Sequence, residues 1–145
     1  MSTLEKAIEI AAKAHAGQKD KAGAPYILHP IRVMLSVSGN DERITAVLHD
    51  VVEDSDIDFV DLANEGFSSE IIDALRCLTK TEGESRIEAA HRAVANPIAR
   101  AVKLSDNADN MDLSRIAQPT EKDYSRLKQY EQVRTILLEG CLSEA

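Results

Sequence analysis

Apolar residues recur along the chain mostly at intervals of three and four, as in Leu4, Ala7, Ile8, Ala11, Ala12 and Ala14, the spacing of one face of an amphipathic helix. Strand-like alternation is nowhere sustained, so the pattern predicts an all-α fold, a single-domain helical bundle over residues 1–145. Ser2 with Glu5 makes a capping-box signature for a first helix that stops at Gly17. A loop through Gln18 to Leu28 carries Gly23 and Pro25. A second helix starts at His29-Pro30, with proline at an early helical position, and ends near Gly39-Asn40. A third runs from Asp41 to about Val52. An acidic segment, Glu53 to Asp58, leads into short helices over Phe59 to Glu65 and Ser68 to Leu78. Thr79 to Arg86, rich in Gly, Glu, Lys and Thr, reads as an exposed, mobile loop. Helices then follow over Ile87 to Val94, Pro97 to Asp112 and Thr120 to Leu142, with no repeat, low-complexity tract or linker between them.

A chain of 145 residues can bury roughly 70% of its unfolded surface without disulfides or a structural metal. Any metal it holds is therefore not needed as a staple. Cys77 and Cys141 stand far apart with no CxxC spacing, and the N-terminus has no secretory apolar run, which points to a reducing cytoplasm. No stretch approaches the roughly 18 apolar residues of a membrane span. The formal charge of −8, from 17 Lys plus Arg against 25 Asp plus Glu, argues against a polynucleotide partner, whose binding is dominated by phosphate neutralisation. A small phosphorylated ligand stays compatible with that charge, because an ion and a few cations can reverse the potential inside one pocket.

The four histidines, His15, His29, His49 and His91, are separated by context. His49 is followed by Asp50 within Ala46-Val47-Leu48-His49-Asp50-Val51-Val52, an otherwise apolar stretch. Burying two ionisable side chains there is costly unless they pair or coordinate an ion. Adjacent helical residues diverge by about 100°, so one ion can meet both only at the seam between them, and further ligands must come from other helices. His29 opens one such helix. Asp106 interrupts the apolar face of Val102-Lys103-Leu104-Ser105-Asp106. Two imidazoles and two carboxylates without a thiolate suit manganese or iron, with zinc as an alternative. Four protein ligands leave an octahedral ion places for water and a phosphate oxygen. The His-Asp dipeptide alone is common by chance, whereas the ordered set, with 20 positions from His29 to His49 and 56 from Asp50 to Asp106, is far more specific. Just beyond, Glu53 stands four residues after His49, and Asp54 four after Asp50. Carboxylates so placed can orient a water, take its proton and return one to a leaving group. Asp56 and Asp58 read as a solvated helix exit.

Ala14-His15-Ala16-Gly17-Gln18, Gly23-Ala24-Pro25-Tyr26-Ile27-Leu28-His29-Pro30, His49-Asp50-Val51-Val52-Glu53-Asp54, Leu78-Thr79-Lys80 and Val102 to Met111 together resemble, in order, the HD-type hydrolase domain of the RelA/SpoT alarmone enzymes. With no synthetase half following, the chain is most similar to the stand-alone small alarmone hydrolases. The resemblance implies an HD-domain helical fold and manganese-dependent removal of the 3′-pyrophosphate from guanosine tetra- or pentaphosphate. It implies metal ligation by His29, His49, Asp50 and Asp106, water activation by Glu53 and Asp54, and a substrate contact from Asn110. Lys21 matches the second place of an Arg-Lys pair in the first loop. Arg126 and Tyr130 resemble a phosphate and a nucleoside contact, with Tyr124 an alternative to Tyr130. Lys80 and Lys103 are further candidate cations. His15 is implied as a supporting residue, and His91 falls outside every motif.

Asp20 stands where the family usually has an arginine expected to cover the base, which removes a cation–π attraction and adds negative charge near a polyanion. The adenine form of the alarmone thus stands beside the guanine form as a candidate substrate. Asn107 and Asp109 replace residues that are commonly basic or aromatic and histidine, changes that read as belonging to the rim of the site. Two other functions share the ligand set: a nucleoside monophosphatase of the HD superfamily, and a non-catalytic HD module that binds a nucleotide. The Glu53-Asp54 pair and the Pro25 to Pro30 segment speak against the first, and the intact ligands with both acids against the second.

Overall fold

The computed structural model describes residues 2–143, with side chains described as far as residue 140. Among these residues the fold is helical with no strand, as the apolar spacing predicts. Nine helices follow in order: α1 (Leu4–Ala14), α2 (Leu28–Leu35), α3 (Asn40–Leu48), α4 (Val51–Asp54), α5 (Phe59–Asn64), α6 (Ser69–Leu78), α7 (Arg86–Val94), α8 (Pro97–Met111) and α9 (Glu121–Ser143).

Local chemistry sets most of the boundaries. Thr3, not Ser2, caps α1, its hydroxyl accepting from Lys6 N at 3.1 Å, while Ser2 N donates instead to Gly66 O at 3.0 Å. Ser68 caps α6, and Ser85 and Glu88 form a capping box at α7. Gly39, at φ +96°, turns the chain from α2 into α3 in a conformation that side chains with a Cβ disfavour.

The largest departure from the sequence pattern lies in the predicted third helix, which does not run through to Val52. It stops at Leu48, and α4 begins afresh at Val51. The intervening Asp50 sits at φ −103°, ψ 0°, and His49 Nδ1 turns back to donate to Ala46 O at 2.5 Å. The helix thus ends at the two residues it would otherwise have splayed apart.

Two apolar clusters form the core. One joins α1, α2, α3, α5 and α6 through residues such as Ile10, Val33, Leu48, Leu62 and Leu75. The other joins α6, α7 and α9 through Ala74, Ala93, Val133 and Leu137. Helix α8 belongs to both, with Val102 in the first and Ala99 in the second. Cys77 is a free, partly buried thiol, and the side chain of Cys141 lies outside those described.

The loop between α6 and α7 is tied down by Arg92. Its guanidinium donates to Glu84 at 2.9 and 2.7 Å, and to the α6-terminal carbonyls of Arg76 and Thr79 at 2.6 and 2.7 Å. These bonds hold the Glu84 carboxyl at about 2, below its ordinary 4.5, chiefly through the Arg92 hydrogen bond. Arg92→Ala is expected to lower the unfolding free energy by about 2 kcal/mol, read from urea midpoints. Because the Glu84 pKa is depressed on folding, its contribution is complete above the unfolded value of 4.5 and fades as pH falls toward 2. The difference between the wild-type protein and Glu84→Gln should shrink over that interval.

Candidate active site

Helices α2, α3 and α8 and the break before α4 bring His29, His49, Asp50 and Asp106 together at the floor of one cavity. Atoms of His29, His49 and Asp50 lie within 4.8 Å of one another. Asp106 Oδ1 completes the group, 2.9 Å from His29 Nε2 and 3.4 Å from His49 Nε2. Asp50 Oδ2 stands 3.1 Å from His49 Nε2 and 3.8 Å from His29 Nε2. His29, His49 and Asp106 are buried.

The hydrogen bonds around this cluster settle which imidazole atoms face it. His49 spends Nδ1–H on Ala46 O, so in the neutral ring Nε2 is a bare lone pair, buried and without a hydrogen-bond partner. A lone pair surrounded by two carboxylates demands a positive charge between them. Burial alone would lower the His49 pKa, but Asp50 and Asp106 raise it well above the usual histidine range, so the two carboxylates favour positive charge at this ring. Burial likewise opposes ionisation of Asp106, yet Lys103 and then His49 hold its carboxyl well below the usual range. The donor set and the orphaned nitrogen fit a divalent cation.

Around the cluster stands a layer of anchors. Tyr26 donates to Asp50 Oδ2 at 2.5 Å, Lys103 to Asp106 Oδ2 at 3.2 Å, and Asn110 to Asp106 Oδ1 at 3.3 Å. His15, fully enclosed, pairs with Gln18 at 2.9 Å, and Gln18 in turn donates to Asp54 O at 2.9 Å, fixing the end of α4.

The cavity above has a volume of about 530 Å³, within the ordinary range for small-ligand sites. Glu53 lines it, its carboxylate accepting from the Lys80 backbone N–H. Desolvation raises the Glu53 pKa, with Asp50 and Asp54 adding to the effect against the Lys80 hydrogen bond. Asp54, the other acid expected to act on water, does not line the cavity, though desolvation and then Asp50 raise it too. Lys21, Lys80, Lys103, Asn110, Arg126 and Tyr130 all line the walls, whereas Tyr124 is an exposed residue outside them. Lys21 reaches across to Asp123 on α9 at 3.4 Å. Asp20, in place of the expected arginine, closes its own loop by accepting from Ala24 N at 2.9 Å.

Both presumed rim substitutions need correcting. Asn107 is buried and donates to Tyr130 O at 2.8 Å, fastening α9 to α8. Asp109 is bonded to His29 itself, at 2.6 Å from Nδ1.

No family model matches the chain. Individual proteins do. The guanosine-3′,5′-bis(diphosphate) 3′-pyrophosphohydrolase MESH1 of Drosophila melanogaster is 32% identical over 136 residues, covering 85% of this chain and 75% of that protein. The chain belongs to this pyrophosphohydrolase family. A solved structure described as a metazoan ortholog of SpoT that hydrolyzes ppGpp shares the pyrophosphohydrolase fold with a TM-score of 0.73 and 25% identity, over 97% of this chain and 85% of that one. The guanosine-3′,5′-bis(diphosphate) 3′-pyrophosphohydrolase of Aquifex aeolicus is 31% identical over 74% of this chain, which spans only 17% of that protein's length. A probable GTP pyrophosphokinase of Mycobacterium leprae is 30% identical over 84% of this chain, again 17% of the larger protein.

Sequence reasoning gave no site role to three residues that line this cavity: Tyr26, Asp109 and Arg86. Arg86 lines the cavity with its guanidinium 5.2 Å from the centre of the Tyr130 ring, and donates to Gln129 at 2.6 Å. Its position at the end of a polar loop gave no sign of this partnership, which joins residues 44 positions apart.

Proposed function

We propose that the chain is a metal-dependent hydrolase that removes the 3′-pyrophosphate from guanosine tetra- or pentaphosphate or from their adenine analogues. The observation that carries this reading is the buried, partnerless Nε2 of His49, set between two carboxylates at the floor of a cavity whose walls carry several cations. His29, His49, Asp50 and Asp106 would hold a divalent cation, manganese by ligand preference with iron or zinc as alternatives. Such an ion would supply an acidified water and offset the charge of the phosphate under attack.

The chain's own side chains do the rest. Glu53, with its carboxylate held by Lys80 N–H and its pKa raised, accepts a proton from the attacking water. Asp54, on the same α4 turn, completes the acid pair beside Asp50. As the water oxygen bonds to phosphorus the 3′ P–O bond breaks, and the proton taken up by Glu53 is returned to the 3′ oxygen, freeing pyrophosphate and the nucleotide's 3′ hydroxyl. Lys21, Lys80, Lys103 and Arg126 offset the charge of the polyphosphate, Asn110 contacts the reacting end, and Tyr130 flanks the nucleoside. The partner is a small nucleotide rather than a polynucleotide, in keeping with the net charge of −8. Among the described residues no helix is long and apolar enough to cross a membrane.

The deciding experiment incubates the manganese-loaded protein with the guanosine and adenosine alarmones beside an Asp50→Ala control. Pyrophosphate is expected from at least one nucleotide and from neither with the variant. No pyrophosphate from either overturns the reading, and orthophosphate from deoxynucleoside monophosphates with the alarmones untouched would replace it with a phosphatase.

A further inference from the structure

Asp109 lies one turn beyond Asp106 on α8, and its carboxylate gathers three partners. Oδ2 is 2.6 Å from His29 Nδ1. Arg32 grips both oxygens, Nε to Oδ1 at 2.8 Å and Nη2 to Oδ2 at 3.0 Å. Arg115 Nη2 stands 3.5 Å from Oδ2 and donates to the Asp109 carbonyl at 3.0 Å. His29 and Arg32 are three residues apart on α2 and so share one face of that helix, which meets α8 at this carboxylate.

This geometry does more than join two helices. A carboxylate on Nδ1 makes that nitrogen the donor, so the neutral ring presents its lone pair on Nε2. That lone pair faces Asp106 Oδ1 at 2.9 Å and Asp50 Oδ2 at 3.8 Å. His49 reaches the same state through a backbone carbonyl, Ala46 O. The two imidazoles are thus set by different means, one by a peptide group and one by an ionised side chain. Only the second can raise the basicity of its ring by charge, and only the second can be removed by a single substitution.

We propose that Asp109 is a positioning residue of the metal centre, fixing the tautomer and orientation of His29, and that Arg32 and Arg115 hold its carboxylate for that task. The inference rests on the ligand role given to His29 under the proposed function. Asp109→Asn preserves the volume of the side chain but removes its charge and presents an amide to a donor-rich surrounding.

The test is a calorimetric titration of the metal-free protein with manganese alone, for wild type, Asp109→Asn, His29→Ala and the double variant, with thermal melts of each. Asp109→Asn is expected to weaken manganese binding by about 10–100-fold. In the His29→Ala background the same substitution should have little further effect, because its route to the metal has gone. Arg32→Gln should weaken binding in the same direction by a smaller factor. If His29→Ala leaves affinity unchanged, the ligand assignment itself fails. If His29→Ala weakens binding while Asp109→Asn lowers only the melting temperature, Asp109 is a bridge between helices and the inference alone is overturned. Should Asp109→Asn not fold, an unchanged affinity in Arg32→Gln overturns it equally.

Discussion

Asp106→Asn should reduce alarmone hydrolysis by on the order of 10³-fold or more, since a metal's contribution of several kcal/mol to the transition state translates into at least that factor. Asp106 is the residue on which the centre converges: it meets both imidazoles and is held in turn by Lys103 and Asn110. The amide keeps the shape but puts a neutral group, half of it a donor, where two imidazole nitrogens and Lys103 face an anion. Manganese titration should show the loss at the level of binding, before any turnover is measured. Asp56→Asn, in the exposed stretch after α4, is the matched removal of a carboxylate and should leave activity within about twofold. Hydrolysis by Asp106→Asn within tenfold of wild type would show that the centre does not depend on its fourth ligand.

Glu53→Gln is expected to lower kcat by about 10²–10⁴-fold while leaving manganese affinity close to that of the wild-type protein, the range typical of losing a positioned general base. The separation follows from geometry. Glutamine keeps an oxygen able to accept from Lys80 N–H, so the loop and α4 retain their attachment and only the proton-accepting capacity is lost. The measurement is a single-turnover rate alongside a metal titration. A variant that keeps both its metal and its turnover would remove Glu53 from the water-activating role. Asp54 offers a useful contrast: because it stays outside the cavity wall, Asp54→Asn should show whether proximity to Asp50 alone matters.

Much of this architecture was legible in the chain. Spacing by three and four predicted the helices, and the helix expected over Ser68 to Leu78 is α6, Ser69–Leu78, with Ser68 as its cap. The break at His49-Asp50 was not legible, because residues 41–52 read as one continuous amphipathic pattern. What ends the helix is a side-chain bond back to Ala46 and the seating of Asp50 against Tyr26, neither of which local propensity records. The Thr79 to Arg86 loop is largely exposed, as its composition reads. What the composition did not record is that Arg92 anchors it from the following helix. His49, Asp50 and Asp106 stood out as ionisable residues in apolar surroundings, a conflict within a short window. Asp109 sits in a polar stretch where a carboxylate raises no such conflict, and its partner His29 lies 80 positions away. A contact of that kind is visible only once the helices are packed.

Helix α8 carries Asp106 of the buried cluster, the His29 partner Asp109 and, through Asn107, the carbonyl of Tyr130 on α9. It is one continuous 15-residue element, the kind of rigid element through which coupling between sites can run. If α8 shifts when the centre is loaded, the wall carrying Tyr130 would feel it through Asn107, and by reciprocity occupancy of that wall would act on the metal with the same coupling free energy. On the proposed function, ion and nucleotide would then be linked through one helix, which manganese titration with and without bound nucleotide would measure.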